Sequence, residues 1–325
     1  MRKLLVRVTV SLVLVILAAN LIVAQTSQPR PVRRAKAPDF SKQSSDFDLI
    51  FFRDVFAQGL EGERPANVGA APVASTGGPS TGDGGAEAVS GTGWAKVVTA
   101  SAVENEIKKI NITLGADKDI ETPIRFQGNG HKVARREFSM IALLFAIIAE
   151  YDGDIRWKEN APGIRDTFAR SAGNAKVGTI QAYNESKLRV QDIQDLVGGG
   201  SVTTTGESER LADWSKVCDR SPLMQRIETA HDKKLAPMTA NASEFMANKE
   251  EIVHEANMVA AIAAALQKEG MEDAGDDDYD GFAQQMLEAS RQIIDAVGSG
   301  DQQQATKAVG AIGQACTSCH EFYRA

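Results

Sequence analysis

Cys316-Thr317-Ser318-Cys319-His320 is the segment whose residue types and spacing carry chemistry without help from elsewhere. Residues three apart share one face of a helix, so both thiols can meet the two vinyl groups of one porphyrin and form thioethers. His320, next in the chain, is then placed to bind the iron from one side. A zinc site would want a second Cys/His pair, which Cys218 alone does not supply. A dithiol redox pair would want a βαβ setting, and none is legible here. The motif therefore reads as the attachment site of one covalent haem c. Because five residues follow His320, a sixth iron ligand has to come from upstream.

The elements that must position this motif are helical in pattern. The chain has 325 residues, 43% of them hydrophobic but only 6% aromatic, which allows about two domains and disfavours a large β-sandwich. Apolar residues recur at three- and four-residue steps in the second half. Ile227 and Leu235 mark a first helix, and Ile252, Val259, Ile262 and Leu266 a second. Phe282, Met286, Ile293 and Val297 mark a third, and Ala305, Val309, Ile312, Cys316 and Cys319 a fourth. Gly270 and Gly298-Ser299-Gly300 are stop signals, and Asp301 is an N-cap for the last helix. Four helices with short connections predict an antiparallel four-helix bundle over 207–325.

The pattern repeats. Trp94-Ala95-Lys96-Val97 matches Trp214-Ser215-Lys216-Val217 at an offset of 120, as Ser101 matches Ser221 and Ile107 matches Ile227. Phe126 and Asn129 match Phe245 and Asn248 at 119, and Met140, Ala142 and Ala146 match Met258, Ala260 and Ala264 at 118. The fold class expected is all-α: two tandem four-helix bundles over 94–203 and 207–325. The first copy has Glu104 where the second has Met224, and Leu196-Val197-Gly198-Gly199-Gly200 near the place of the haem motif. Phe138, Ile141, Leu144, Phe145 and Ile148 are bulkier than the matching Ala-rich helix and would fill the space of a haem, so the first bundle is expected to be haem-free.

Ahead of the repeats, Arg2, Lys3 and Arg7 precede an apolar run from Val8 to Ala24, so residues 1–24 read as an export signal. The run is about 17 residues, at the lower limit for a bilayer span. An uncleaved membrane anchor is the rival to a cleaved signal, and either puts the bulk of the chain in the periplasm or outside the cell. Residues 25–93 read as a low-complexity linker, with a short amphipathic segment near 46–60. This segment suits docking on a partner or membrane, or packing on the chain's own domains, and the last is favoured.

The ending Gly310 to Arg324, with Cys-x-x-Cys-His on the last helix of a four-helix bundle, resembles the cytochrome c-prime family and its low-spin, methionine-ligated relatives. His320, Tyr323 and Arg324 fit the His-x-x-Tyr-Arg tail of that family. The likeness covers 207–325 directly and 94–200 more weakly through the repeat. It implies that a first-helix residue four places after an arginine faces the open side of the haem. Counting from Arg220 gives Met224, and a slip of one residue gives Leu223. It also implies contacts to the cofactor from Arg220 and Arg324. His231, on the same stripe as Met224, is a rival iron ligand, whereas His254 and His131 read as solvent-facing.

The net charge of −7 argues against nucleic acid as a partner. It is uneven: residues 207–325 hold 11 Lys/Arg and 21 Asp/Glu, a net −10. The run from Glu272 to Asp280 reads first as a solvated loop and second as a steering surface for a basic redox partner. No catalytic constellation is visible, so the chain is expected to be an electron carrier rather than an enzyme. The alternatives are a five-coordinate haem protein that binds or senses small gases such as nitric oxide, and an interaction protein with haem as a structural pin. The oligomeric state is open, a homodimer included.

Overall fold

A computed structural model of the chain describes residues 92–202, 204 and 213–323. The export signal or anchor, the linker up to residue 91, the segment near 46–60 and Arg324 lie outside the described residues. Every regular element among those described is a helix, as the composition predicts. None is long and apolar enough to cross a membrane.

The first set of helices is α1 (Ala100–Ala116), α2 (His131–Ala149), α3 (Ala161–Asn174) and α4 (Ile180–Val197). The second is α5 (Arg220–Glu228), α6 (Lys249–Leu266), α7 (Asp277–Ser299) and α8 (Gln302–Phe322). Their ends follow side-chain chemistry. Thr99 and Thr179 accept hydrogen bonds from the third backbone N–H beyond them and start α1 and α4. Asp301 does the same for α8 through Gln304 N at 3.0 Å. Gly300 closes α7 at φ +74°, the left-handed conformation glycine reaches without strain.

One break was not legible. Ile227 and Leu235 do not lie on one regular helix: α5 widens into a π-helical turn over Thr229–Leu235 before Ala236–Thr239 resumes α-geometry. Pro237 follows the wide turn and has no N–H to give to the regular ladder.

α2 and α6 are the central helices. α2 is apolar nearly all round, with Phe138, Ile141, Leu144, Phe145 and Ile148 fully buried, as suits a helix enclosed on every side. The same stretch of α6 is narrower, with Ala256 and Ala263 standing 118 residues after Phe138 and Phe145. α2 packs on α3, and α6, α7 and α8 pack in succession. Between the two sets, α1 lies on α6 and α5 lies on α2.

This junction contains a buried charge cluster. Arg226 Nε donates to Glu106 at 2.9 Å and its Nη1 donates to Glu255 at 2.6 Å. His254 Nε2 lies 2.7 Å from the other Glu106 oxygen. His254, read from sequence as solvent-facing, is 8% exposed. Its place on an Ala-rich helix signalled nothing, because its partner lies 148 residues away. His131 is also half-buried, its Nδ1 3.1 Å from the Phe126 carbonyl.

Burial alone would raise the Glu106 carboxyl, but His254 and the Arg226 guanidinium outweigh it and hold the group at about 2. A depressed carboxyl contributes stability above its unfolded value, here 4.5, which is lost as pH falls toward about 2. Glu137, raised by burial against the weaker pull of Arg136, acts in the opposite sense. Thermal unfolding between pH 6 and pH 2 should show a steep acid limb worth on the order of 3 kcal/mol. Glu106→Gln should flatten that limb while lowering the midpoint at neutral pH. A variant with the same acid slope as the parent would assign the limb to other groups.

Candidate cofactor cavity

A cavity of about 800 Å³ opens between α5, the π-helical turn, α7 and α8. Its size lies within the roughly 300–1,000 Å³ usual for cofactor sites. Met224 and His231 line it from one side, and Cys316, Cys319 and His320 line it from α8. Leu266, Ala283 and Met286 supply apolar wall, and the small residues Ala283 and Gly313 leave width between the helices. A Cβ on Gly313 would stand 3.0 Å from His231 Nε2. The motif residues and Met224, nearly a hundred positions apart in sequence, thus face one space.

The packing separates Met224 from Leu223. Leu223 is fully buried in the core, whereas Met224 is half-buried and lines the cavity. His231 lines the same wall, but its ring nitrogens are occupied: Nδ1 lies 2.7 Å from Asp232 and Nε2 3.1 Å from the Val309 carbonyl. In this conformation it ties the π-helical turn to α8.

The sulfur and imidazole groups lining the cavity are Cys316, Cys319, Met224, Met286, His231 and His320. Among the described residues, no three His, Cys, Asp or Glu side chains converge as a metal-binding group. Cys316 and Cys319 are half-buried and not joined to each other, and Cys316 Sγ stands 3.7 Å from Met286 Sδ. Burial pushes the Cys316 thiol up to about 11 and raises Cys319 as well. Burial thus works against the thiolate at both, the opposite of the setting that lowers the thiol of a dithiol redox centre. His320 is exposed at the end of α8.

The acidic run borders the cavity, which Glu272 and Tyr279 line. Arg220 pairs with Glu272 at 3.2 Å and with Asp273, and donates to the Tyr323 carbonyl at 3.2 Å. Asp276 caps α7 and accepts from the Tyr323 hydroxyl at 2.5 Å. That bond lowers the Asp276 carboxyl and pushes the Tyr323 phenol up to about 12. Glu272, Asp273 and Asp276 therefore fasten α5 and Tyr323 to the connection that leads into α7, a role that a run of acids did not disclose in the sequence. Tyr279, within the same run, is buried against Tyr323 at 5.3 Å between ring centres and lines the cavity. Sequence reasoning passed over it as part of a charged loop.

The matching region around α2 is filled differently. Glu104, 120 residues before Met224, accepts from the Arg156 backbone N–H at 3.3 Å. Trp157 packs on Phe145 at 6.1 Å, and Phe138 packs on Phe168 at 5.6 Å. Cys218 is buried, its thiol pushed up to about 12, so it is not presented for pairing with another chain. Comparison with known proteins gave no matching family model, no matching curated protein and no matching solved structure.

Proposed function

We propose that residues 207–325 hold one covalent haem c and that the protein is an exported one-electron carrier. The observation that carries this reading is that Cys316, Cys319, His320 and Met224 all face one cavity of cofactor size. Residues 94–203 and 207–325 are read as tandem four-helix bundles derived from one unit, of which only the second keeps the cofactor. Glu104, Trp157 and the Phe138–Phe145 stripe fill the first.

When bound, the haem supplies the ferric/ferrous couple. Cys316 and Cys319 would hold it to α8 as thioethers, and His320 would be an iron ligand. Met224, on α5, would be the second protein ligand, and a Met/His pair would raise the potential. Leu266, Ala283 and Met286 keep water from that face. Arg220 positions the mouth through Glu272 and Asp273, and Arg324 is the further basic residue expected near His320. The acidic surface of this half suits a basic redox partner protein. No step needs an acid, a base or a nucleophile, so the role is transfer rather than catalysis.

The test is the absorption spectrum of the protein matured in a host that attaches haem c. A low-spin spectrum with a methionine-to-iron charge-transfer band is expected. Met224→Leu should abolish that band and convert the iron to high spin, while Met286→Leu should leave both unchanged. A high-spin parent whose spectrum shifts with carbon monoxide or nitric oxide would replace electron transfer by gas binding.

A further inference from the structure

Three pairs of positions equated by the sequence offset face one another. Trp94 and Trp214 stack with ring centres 5.6 Å apart. Glu106 pairs with Arg226, again 120 residues on, in the buried cluster. Glu150 lies 3.8 Å from Lys268, 118 residues on, and accepts from Trp94 Nε1. In a two-fold arrangement, the residues that meet their own counterparts are those on the axis. The reciprocal packing of α1 on α6 and α5 on α2 obeys the same symmetry.

The tryptophans are alike in both copies, but the charged pairs are not. If two haem-bearing copies from two chains met through this face, each Arg226 would keep Glu255 of its own copy but meet Arg226 in place of Glu106, and Lys268 would meet Lys268 in place of Glu150. Two first copies would oppose Glu106 to Glu106 and Glu150 to Glu150. Like charges forced together at a desolvated contact are costly, which is how an interface rejects a wrong partner. The off-axis pairs agree. Lys109 binds Glu251, but the second-copy position matching Lys109 is Thr229. Asp219 binds Arg135 at 2.8 Å and Lys176 at 2.9 Å, but the first-copy position matching Asp219 is Thr99.

We propose that this face is charge-coded so that the first copy is the required partner of the haem-bearing copy and a second haem-bearing copy is rejected. The chain is then its own dimer, and a homodimer through this face is excluded. The inference rests on the duplication and not on the haem, since its readout is molecular mass.

The test uses two full-length variants, Glu106→Arg/Glu150→Lys and Arg226→Glu/Lys268→Glu. Each carries like charges on both copies, so each alone should lose the internal junction and unfold at lower temperature. Mixed, the basic copies of one should take the acidic copies of the other, and light scattering should show a species of twice the chain mass. The parent should stay at single-chain mass over the same concentrations. A mixture that stays at single-chain mass, or single variants as stable as the parent, would overturn the proposal. If exchange at the buried pair prevents folding, the outer pair decides. Glu150→Lys and Lys268→Glu should each lower the midpoint and together restore it, and additive losses would overturn the code.

Discussion

Replacing Cys316 and Cys319 together with alanine is expected to yield a chain from which all haem is extracted by acid and organic solvent. On the proposed reading the parent should keep its haem under the same treatment, because two thioether bonds would survive unfolding. Each single variant should keep one bond and a shifted spectrum, and Cys218→Ala, buried outside the cavity, should keep both. The double variant should also unfold earlier. A tethered group whose packing contacts form only in the folded state stabilises that state, and without it the cavity of about 800 Å³ would lose its lining contacts. Retention of haem by the double variant after denaturation would defeat the cofactor assignment. Loss of stability without any haem in the parent would defeat it too.

Arg226→Met is expected to be the most damaging single change at the junction. Arg226 is 9% exposed and faces both Glu106 and Glu255. Removing it leaves two carboxylates buried without their cation, which costs about 3–5 kcal/mol. For a unit of this size, that is a fall of roughly 6–20 °C in the unfolding midpoint. A triple variant, Glu106→Gln/Arg226→Met/Glu255→Gln, should recover much of the loss, because a neutral, packed cluster escapes the desolvation penalty. A triple variant no more stable than Arg226→Met would show that the loss came from packing, not charge. Differential scanning calorimetry at neutral pH distinguishes the two.

The helices and their ends were largely legible, because they are set by local signals. Asp301 and Gly300 mark a boundary by chemistry that acts within one turn. The Cys-x-x-Cys-His segment was legible by itself, but Met224 was reached only through the family resemblance, by counting four residues from Arg220, and nothing local separated it from Leu223. The junction was not legible. Glu106, Arg226 and His254 look like ordinary charges on amphipathic helices, and nothing local announces a partner 120 or 148 residues away. The wide turn at Thr229–Leu235 was hidden for another reason: an apolar step pattern does not report which carbonyl each N–H reaches.

The stacking of Trp94 on Trp214 has an optical consequence. Two indoles 5.6 Å apart, with the Lys268 ammonium 4.8 Å from one ring centre and 5.4 Å from the other, share an excited state. Their transitions should couple into a paired, opposite-signed band in near-ultraviolet circular dichroism. The third tryptophan of the chain, Trp157, packs instead on Phe145 beneath Arg156. The intrinsic chromophores therefore divide between two places, and separation of the two halves can be followed by the collapse of one couplet while Trp157 emission stays as it was.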